Sequence, residues 1–118
     1  MKFMKRLITA AAATVFLLSA GAVHAECVFP SSEIDIPDGS KVSKDTMIAA
    51  IQRVKAYQAE MALFRTCLDD ELAAIEDPKP LEALQFHDLR FNASVASEEE
   101  VANKLNAEVR AFKAQGSQ

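Results

Sequence analysis

The chain has 118 residues, half of them hydrophobic, and a formal net charge of −4. That length suits one small domain. The acidic balance argues against nucleic acid or an anionic membrane surface as a partner, because both need a basic patch. With no Trp, one Tyr and an apolar content made mostly of Ala, Leu and Val, the composition favours helices around a modest core.

Residues 1–25 read as a cleaved secretory signal peptide. Lys2, Lys5 and Arg6 give a positive start, Leu7 to Val23 carry no charge, and Val23-His24-Ala25 ends on the small residues that a signal peptidase reads. A spanning anchor needs about 20 strongly apolar residues, and this run is diluted by Ala, Thr, Ser and Gly. Glu26, in front of Cys27, is too large and charged for a lipoprotein signal. Cleavage between Ala25 and Glu26 removes three of the 13 basic residues and none of the 17 acidic ones. It leaves 93 residues with a net charge of −7. The expected location is periplasmic or secreted, with no membrane segment after cleavage.

Export changes the meaning of the two cysteines. In an oxidising compartment, an even count in a small chain reads as a disulfide, here Cys27–Cys67. Closing that 40-residue separation stabilises the fold by about 3–4 kcal/mol in the chain-entropy model.

Residues 26–42 read as an extended arm. Pro30, Pro37 and several Ser prevent a regular element, and Pro37-Asp38-Gly39 marks a turn. The alternation Ile34-Asp35-Ile36 is too short for a strand.

A long helix follows, with Ser43 as N-cap and Asp45 placed to favour the helix dipole. Its heptad positions are Met47, Ile51, Val54, Gln58, Met61, Arg65, Leu68, Leu72 and Ile75. Ala50, Tyr57 and Phe64 widen the apolar stripe on one side. Gln58 and Arg65 interrupt it, so the pattern is amphipathic without being a clean zipper. Asp77-Pro78-Lys79-Pro80 ends this helix, since a residue before Pro avoids the α region.

The second helical region runs from Leu81 to about Ala114, with Leu84, Asp88, Phe91, Val95, Glu98, Ala102, Leu105, Val109 and Phe112 at three- and four-residue steps. Ser97 followed by Glu98, Glu99 and Glu100 has the form of a capping box. The region is therefore either one helix or two joined near 94–97.

The arm has to double back for the disulfide to close. From Ser43 to Cys67 a helix rises about 36 Å, and 16 extended steps from Cys27 to Ser43 span about 53 Å. The predicted fold is all-α: a long antiparallel helical hairpin over 43–116, with the 26–42 arm stapled to the first helix. Val28, Phe29, Ile34 and Ile36 are expected to cover apolar surface that a two-helix hairpin leaves open. Dimerisation through the same stripe, which includes Met47, Tyr57, Met61 and Phe64, is the competing solution.

No constellation of catalytic residues stands out. His87 beside Asp88 is the single histidine after cleavage, and an exported Cys67 with one partner cysteine is expected to be bonded rather than nucleophilic. Zinc motifs, CxxCH and glycine-rich phosphate loops are absent from the sequence. Asp69-Asp70-Glu71 with Glu76-Asp77, and Glu98 to Glu100, read as solvated faces, with weak Ca²⁺ binding as the residual reading. The expectation is no enzyme, no cofactor and no metal ligand set.

The spacing of Cys27, Ile36-Pro37-Asp38-Gly39, Val54-Lys55-Ala56-Tyr57 and Cys67-Leu68 resembles a family of small exported, periplasmic helical proteins of Gram-negative bacteria. Phe91-Asn92-Ala93 and Asn106 with Val109 to Lys113 resemble its later part, while Pro78 to Arg90 lies outside the likeness. The resemblance implies a periplasmic helical protein with no assigned activity. The functional expectation is a non-enzymatic interaction or envelope-maintenance protein with a protein partner or a homodimeric contact. The alternative is a stress-related or metal-binding protein that uses the acidic clusters.

Overall fold

The structure is a computed structural model that describes residues 26–116. Residues 1–25, where the sequence predicts a signal peptide ending at Ala25, lie outside the described residues. Two helices, α1 (Lys44–Ala73) and α2 (Leu81–Gln115), form an antiparallel hairpin, and no strand occurs among the described residues. Residues 26–38 form an extended arm that is joined to α1 by the Cys27–Cys67 disulfide.

Helix α1 starts where capping chemistry places it. The Ser43 hydroxyl accepts from the Thr46 amide at 3.3 Å, and Asp45 sits in the first turn. Its buried residues are Met47, Ala50, Val54, Tyr57, Met61, Phe64 and Leu68. These alternate in three- and four-residue steps and form one narrow seam. The seam therefore runs through Ala50, Tyr57 and Phe64 where the sequence pattern placed Ile51, Gln58 and Arg65. Aromatic volume decides the register, because turning Tyr57 and Phe64 outward would expose two of the largest apolar surfaces in the chain.

α1 ends at Ala73, before the expected Asp77-Pro78 stop, and Ile75 lies beyond the helix. Backbone bonds from Ala74 to the Asp70 carbonyl and from Ile75 to the Leu72 carbonyl close its last turn. In the connection, Lys79 Nζ donates to the Ile75 carbonyl at 2.7 Å, and the Asp77–Pro78 peptide is cis.

The second helical region is one continuous helix. Ser94 and Ser97 do not break it, because both side chains find partners inside the hairpin. Ser94 Oγ donates back to the Phe91 carbonyl at 2.6 Å, and Ser97 Oγ meets the Tyr57 hydroxyl at 2.6 Å. The face that meets α1 also differs from the sequence-derived stripe. Ser94 and Val101 are buried, Leu105 packs against the cluster that contains Val101, and Leu84 and Val95 remain exposed. Spacing back from Val101 gives Ser97, Ser94, Arg90, His87 and Ala83, all at least half-buried. Helix α2 thus meets α1 through a largely polar edge.

The arm supplies the missing cover. Ile34 and Ile36 pack against Val54, Tyr57, Met61 and Val101. Phe29 lies edge-on to Phe64 at 5.0 Å between ring centroids. Val28, expected to help, is 80% exposed. Arg53 holds the middle of the arm through two bonds to the Asp35 carbonyl, at 3.2 and 3.0 Å. The stripe residues Met47, Tyr57, Met61 and Phe64 are therefore core of the chain itself.

The predicted turn anchors the far end of the arm. Lys41 N donates to the Asp38 carbonyl, while Asp38 Oδ1 accepts from both the amide and the hydroxyl of Ser40. These bonds and the nearby Lys41 hold the Asp38 carboxyl below its ordinary pKa. Gly39 is buried against α2. Its amide donates to Glu108 Oε2 at 2.6 Å, and its carbonyl accepts from Gln115 Nε2. A Cβ on Gly39 would overlap the Glu108 carbonyl group. The absence of a side chain is what lets the arm touch the helix backbone.

Candidate functional site

The turn end of the hairpin gathers most of the polar chemistry. Glu71 on α1 accepts from the Cys27 amide through Oε1 at 3.2 Å. It also accepts from Arg90 Nη1 on α2 through Oε2 at 2.8 Å. Arg90 Nη2 completes the ring by donating to the Cys27 carbonyl at 3.2 Å. Both backbone polar groups of Cys27 are thereby held by one ion pair that bridges the helices. The Arg90 guanidinium also lies 4.7 Å from the Phe86 ring centroid and 5.8 Å from that of Phe64. The disulfide and this clamp together fix the start of the arm.

Sequence reasoning placed the disulfide at Cys27 and Cys67 and missed the clamp. The signal that could have found it is the three- and four-residue spacing from Val101 back to Arg90, which puts an arginine in the seam opposite the acidic end of α1.

The groups considered for chemistry are otherwise engaged. No free cysteine occurs among the described residues, so Cys67 offers no thiol beside His87. His87 Nε2 lies 2.8 Å from Asp69 Oδ1, and Nδ1 lies 3.0 Å from Asp88 Oδ1. The bonds to Asp88 and then Asp69 raise its pKa above the ordinary imidazole value. The Cys27 and Cys67 sulfurs and a Glu71 carboxylate oxygen lie within 4.8 Å of one another. Because the sulfurs are bonded to each other, neither presents a thiolate to a metal.

The acidic clusters divide between structural pairs and solvent. Glu98 pairs with Arg65 at 2.8 Å, and Arg65 also donates to the buried Ser94 hydroxyl at 3.3 Å. Glu100 pairs with Lys104 at 3.1 Å. Asp77 pairs with Lys79 at 3.3 Å, while Asp70, Glu76, Glu99 and Glu26, the residue after the expected cleavage point, are exposed.

The remaining feature is apolar surface. Leu72, Ile75, Ala83 and Phe86 line a cleft between the helices at the turn, floored by Leu68 and bordered by Glu71, His87 and Arg90. Phe86 is 59% exposed there, and Leu89, three residues on, is 69% exposed. Leu81 and Leu84 stand on other flanks of the same helix turns and are exposed as well. A second shallow groove beside the disulfide is lined by Val28, Pro30, Leu63 and Phe64, with Leu63 projecting into solvent. No helix among the described residues is long and apolar enough to cross a membrane.

Protein-family models, curated proteins and solved structures give no match to this chain. The resemblance seen in the sequence therefore carries no family assignment.

Proposed function

We propose that the protein is a non-enzymatic, exported interaction protein of the periplasm or envelope, in which a stapled hairpin holds an apolar surface open to a partner. The observation that carries this reading is the exposed apolar side chains of Ile75, Phe86 and Leu89 on one side of the turn end of the hairpin, with Leu81 and Leu84 exposed on other flanks. Scattered single exposures are ordinary, but a cluster of this kind on a small acidic chain marks a contact surface. The disulfide, the Glu71–Arg90 clamp and the Gly39 anchor make the scaffold rigid enough to present it. The export signal supplies the compartment.

The test is site-specific photocrosslinking in cells that express the protein with its own export signal. A photoreactive residue at Leu89 or Leu63 is expected to give discrete protein adducts, whereas one at the polar, exposed Lys55 is not. No adduct from either apolar position overturns the reading.

A further inference from the structure

The interaction reading leaves the partner's chemistry open, and the charge distribution narrows it. The mature chain carries a net charge of −7, unevenly spread. Between residues 69 and 90 seven acidic residues (Asp69, Asp70, Glu71, Glu76, Asp77, Glu82 and Asp88) face only two basic ones, Lys79 and Arg90. Five of the seven net negative charges thus sit on the stretch that also carries the apolar cleft. Residues 26–68 and 91–118 are each close to neutral, with one net negative charge apiece.

Geometry joins the two features on one face. On α2, Phe86 and Leu89 are three residues apart and neighbour one another along the helix surface, with Glu82 one turn before Phe86 on the same side. Across the turn, Ile75 lines the cleft with Phe86, and Glu76 and Asp77 follow it directly. The surface is an apolar strip between the helix ends, with Arg90 and His87 held at its inner border by Glu71, Asp69 and Asp88. Glu76, Asp77 and Glu82 stand on its outer rim, Asp77 being paired with Lys79 at 3.3 Å. Two such tips repel, so an isologous contact with a second copy is disfavoured, and so is an anionic lipid surface.

We infer that the turn end of the hairpin docks a basic amphipathic helical segment of a partner protein, whose apolar side chains enter the Ile75–Phe86 cleft and cover Leu89 while its Lys or Arg side chains meet Glu76, Asp77 and Glu82. This rests on the interaction reading above and names the partner class of that same surface. An amphipathic helix laid in an apolar groove is a recurrent recognition mode, and charge complementarity at the rim governs specificity and association rate more than affinity.

The test uses a fluorescent helical peptide of about four turns built from Leu and Lys, together with its Leu and Glu counterpart, titrated into the purified, oxidised protein. Saturable binding of the Leu/Lys peptide that weakens with added salt is expected, with no binding of the Leu/Glu peptide. Leu89→Ser combined with Phe86→Ser should weaken binding about tenfold, as for loss of a central apolar anchor. The triple change Glu76→Gln, Asp77→Asn, Glu82→Gln should weaken it by a comparable factor. Glu99→Gln with Glu100→Gln, remote on α2, should leave it within about twofold, because a rim charge outside the contact contributes little.

Phe86 touches Arg90, so Leu89→Ser alone is measured as well; its side chain is mostly in solvent and its loss should leave the thermal transition in place. Equal binding of both peptides, an equal loss from the remote pair, or an association of the protein with itself that Leu89→Ser abolishes would each overturn the inference. Adducts from Leu89 in cells without Leu/Lys binding would remove the basic partner while leaving the interaction reading. Absence of both would remove both.

Discussion

Glu71 and Arg90 meet at 2.8 Å across the hairpin, and between them they hold the amide and the carbonyl of Cys27. The disulfide fixes the side chain of Cys27 and the ion pair fixes its backbone, so one residue of the arm is tied to both helices. Arg90→Ala leaves Glu71 beside the Cys27 amide without its countercharge. The expected loss of stability is about 1–3 kcal/mol for a half-buried charged hydrogen bond. Glu71→Gln should cost less, because the amide can still accept from Cys27. Urea unfolding of the two single variants and the double variant gives the coupling, which should be non-zero.

Gly39→Ala tests the other anchor. Gly39 has no positive φ, so the penalty is packing against the Glu108 carbonyl and not backbone conformation. Relieving the overlap requires the 38–41 turn to lift from α2 and breaks the bonds to Glu108 and Gln115. The expected destabilisation is about 1–3 kcal/mol. A calorimetric or circular-dichroism melt measures it, and hydrogen exchange at the Gly39 amide should accelerate.

Replacing both cysteines with Ala should lower stability by about 3–4 kcal/mol in the chain-entropy model. The arm is then held by Phe29, Ile34, Ile36, Arg53, the Glu71–Arg90 clamp and the Gly39 anchor, without a covalent tie. Arm amides should exchange faster, while the helical signal in circular dichroism persists under conditions where the variant stays folded.

His87 makes stability depend on pH in a defined direction. Its folded-state pKa is raised by Asp88 and Asp69. Protonated His87 therefore favours the folded state, and its contribution is fully present below the unfolded pKa of about 6.5. It is lost as pH rises through the folded value. Both carboxylates are largely exposed, so salt should weaken the effect. The unfolding midpoint of the parent, measured between about pH 5 and 8, should fall relative to His87→Gln as pH rises.

The architecture was legible where local signals are strong. Ser43 and the Pro37-Asp38-Gly39 turn are read from capping and turn chemistry, the disulfide from export and cysteine count, and the hairpin from two long Gly-free periodic stretches. The seam was harder to place. In α1 two registers share Met47, Val54, Met61 and Leu68, and only the volume of Tyr57 and Phe64 separates them. In α2 the buried edge contains Ser94, Ser97 and Arg90, polar residues that periodicity of apolar residues does not register. Their burial becomes favourable only once Tyr57, Arg65 and Glu71 stand opposite them. The Glu71–Arg90 clamp and the Gly39 contact join residues 19 and 69 positions apart, pairings that depend on tertiary register. The apolar tip was hidden in the same way, since Phe86 and Leu89 stand out as exposed only after the seam is known.

Everything proposed for this chain depends on its being exported and stapled, and one mass measurement addresses both. Protein recovered from the periplasmic fraction should have the intact mass of residues 26–118, and it should gain about 2 Da on reduction as the single disulfide takes up two hydrogens. A peptide map under non-reducing conditions should link Cys27 to Cys67. A chain that retains residues 1–25, or one whose mass is unchanged by reductant, would contradict the account.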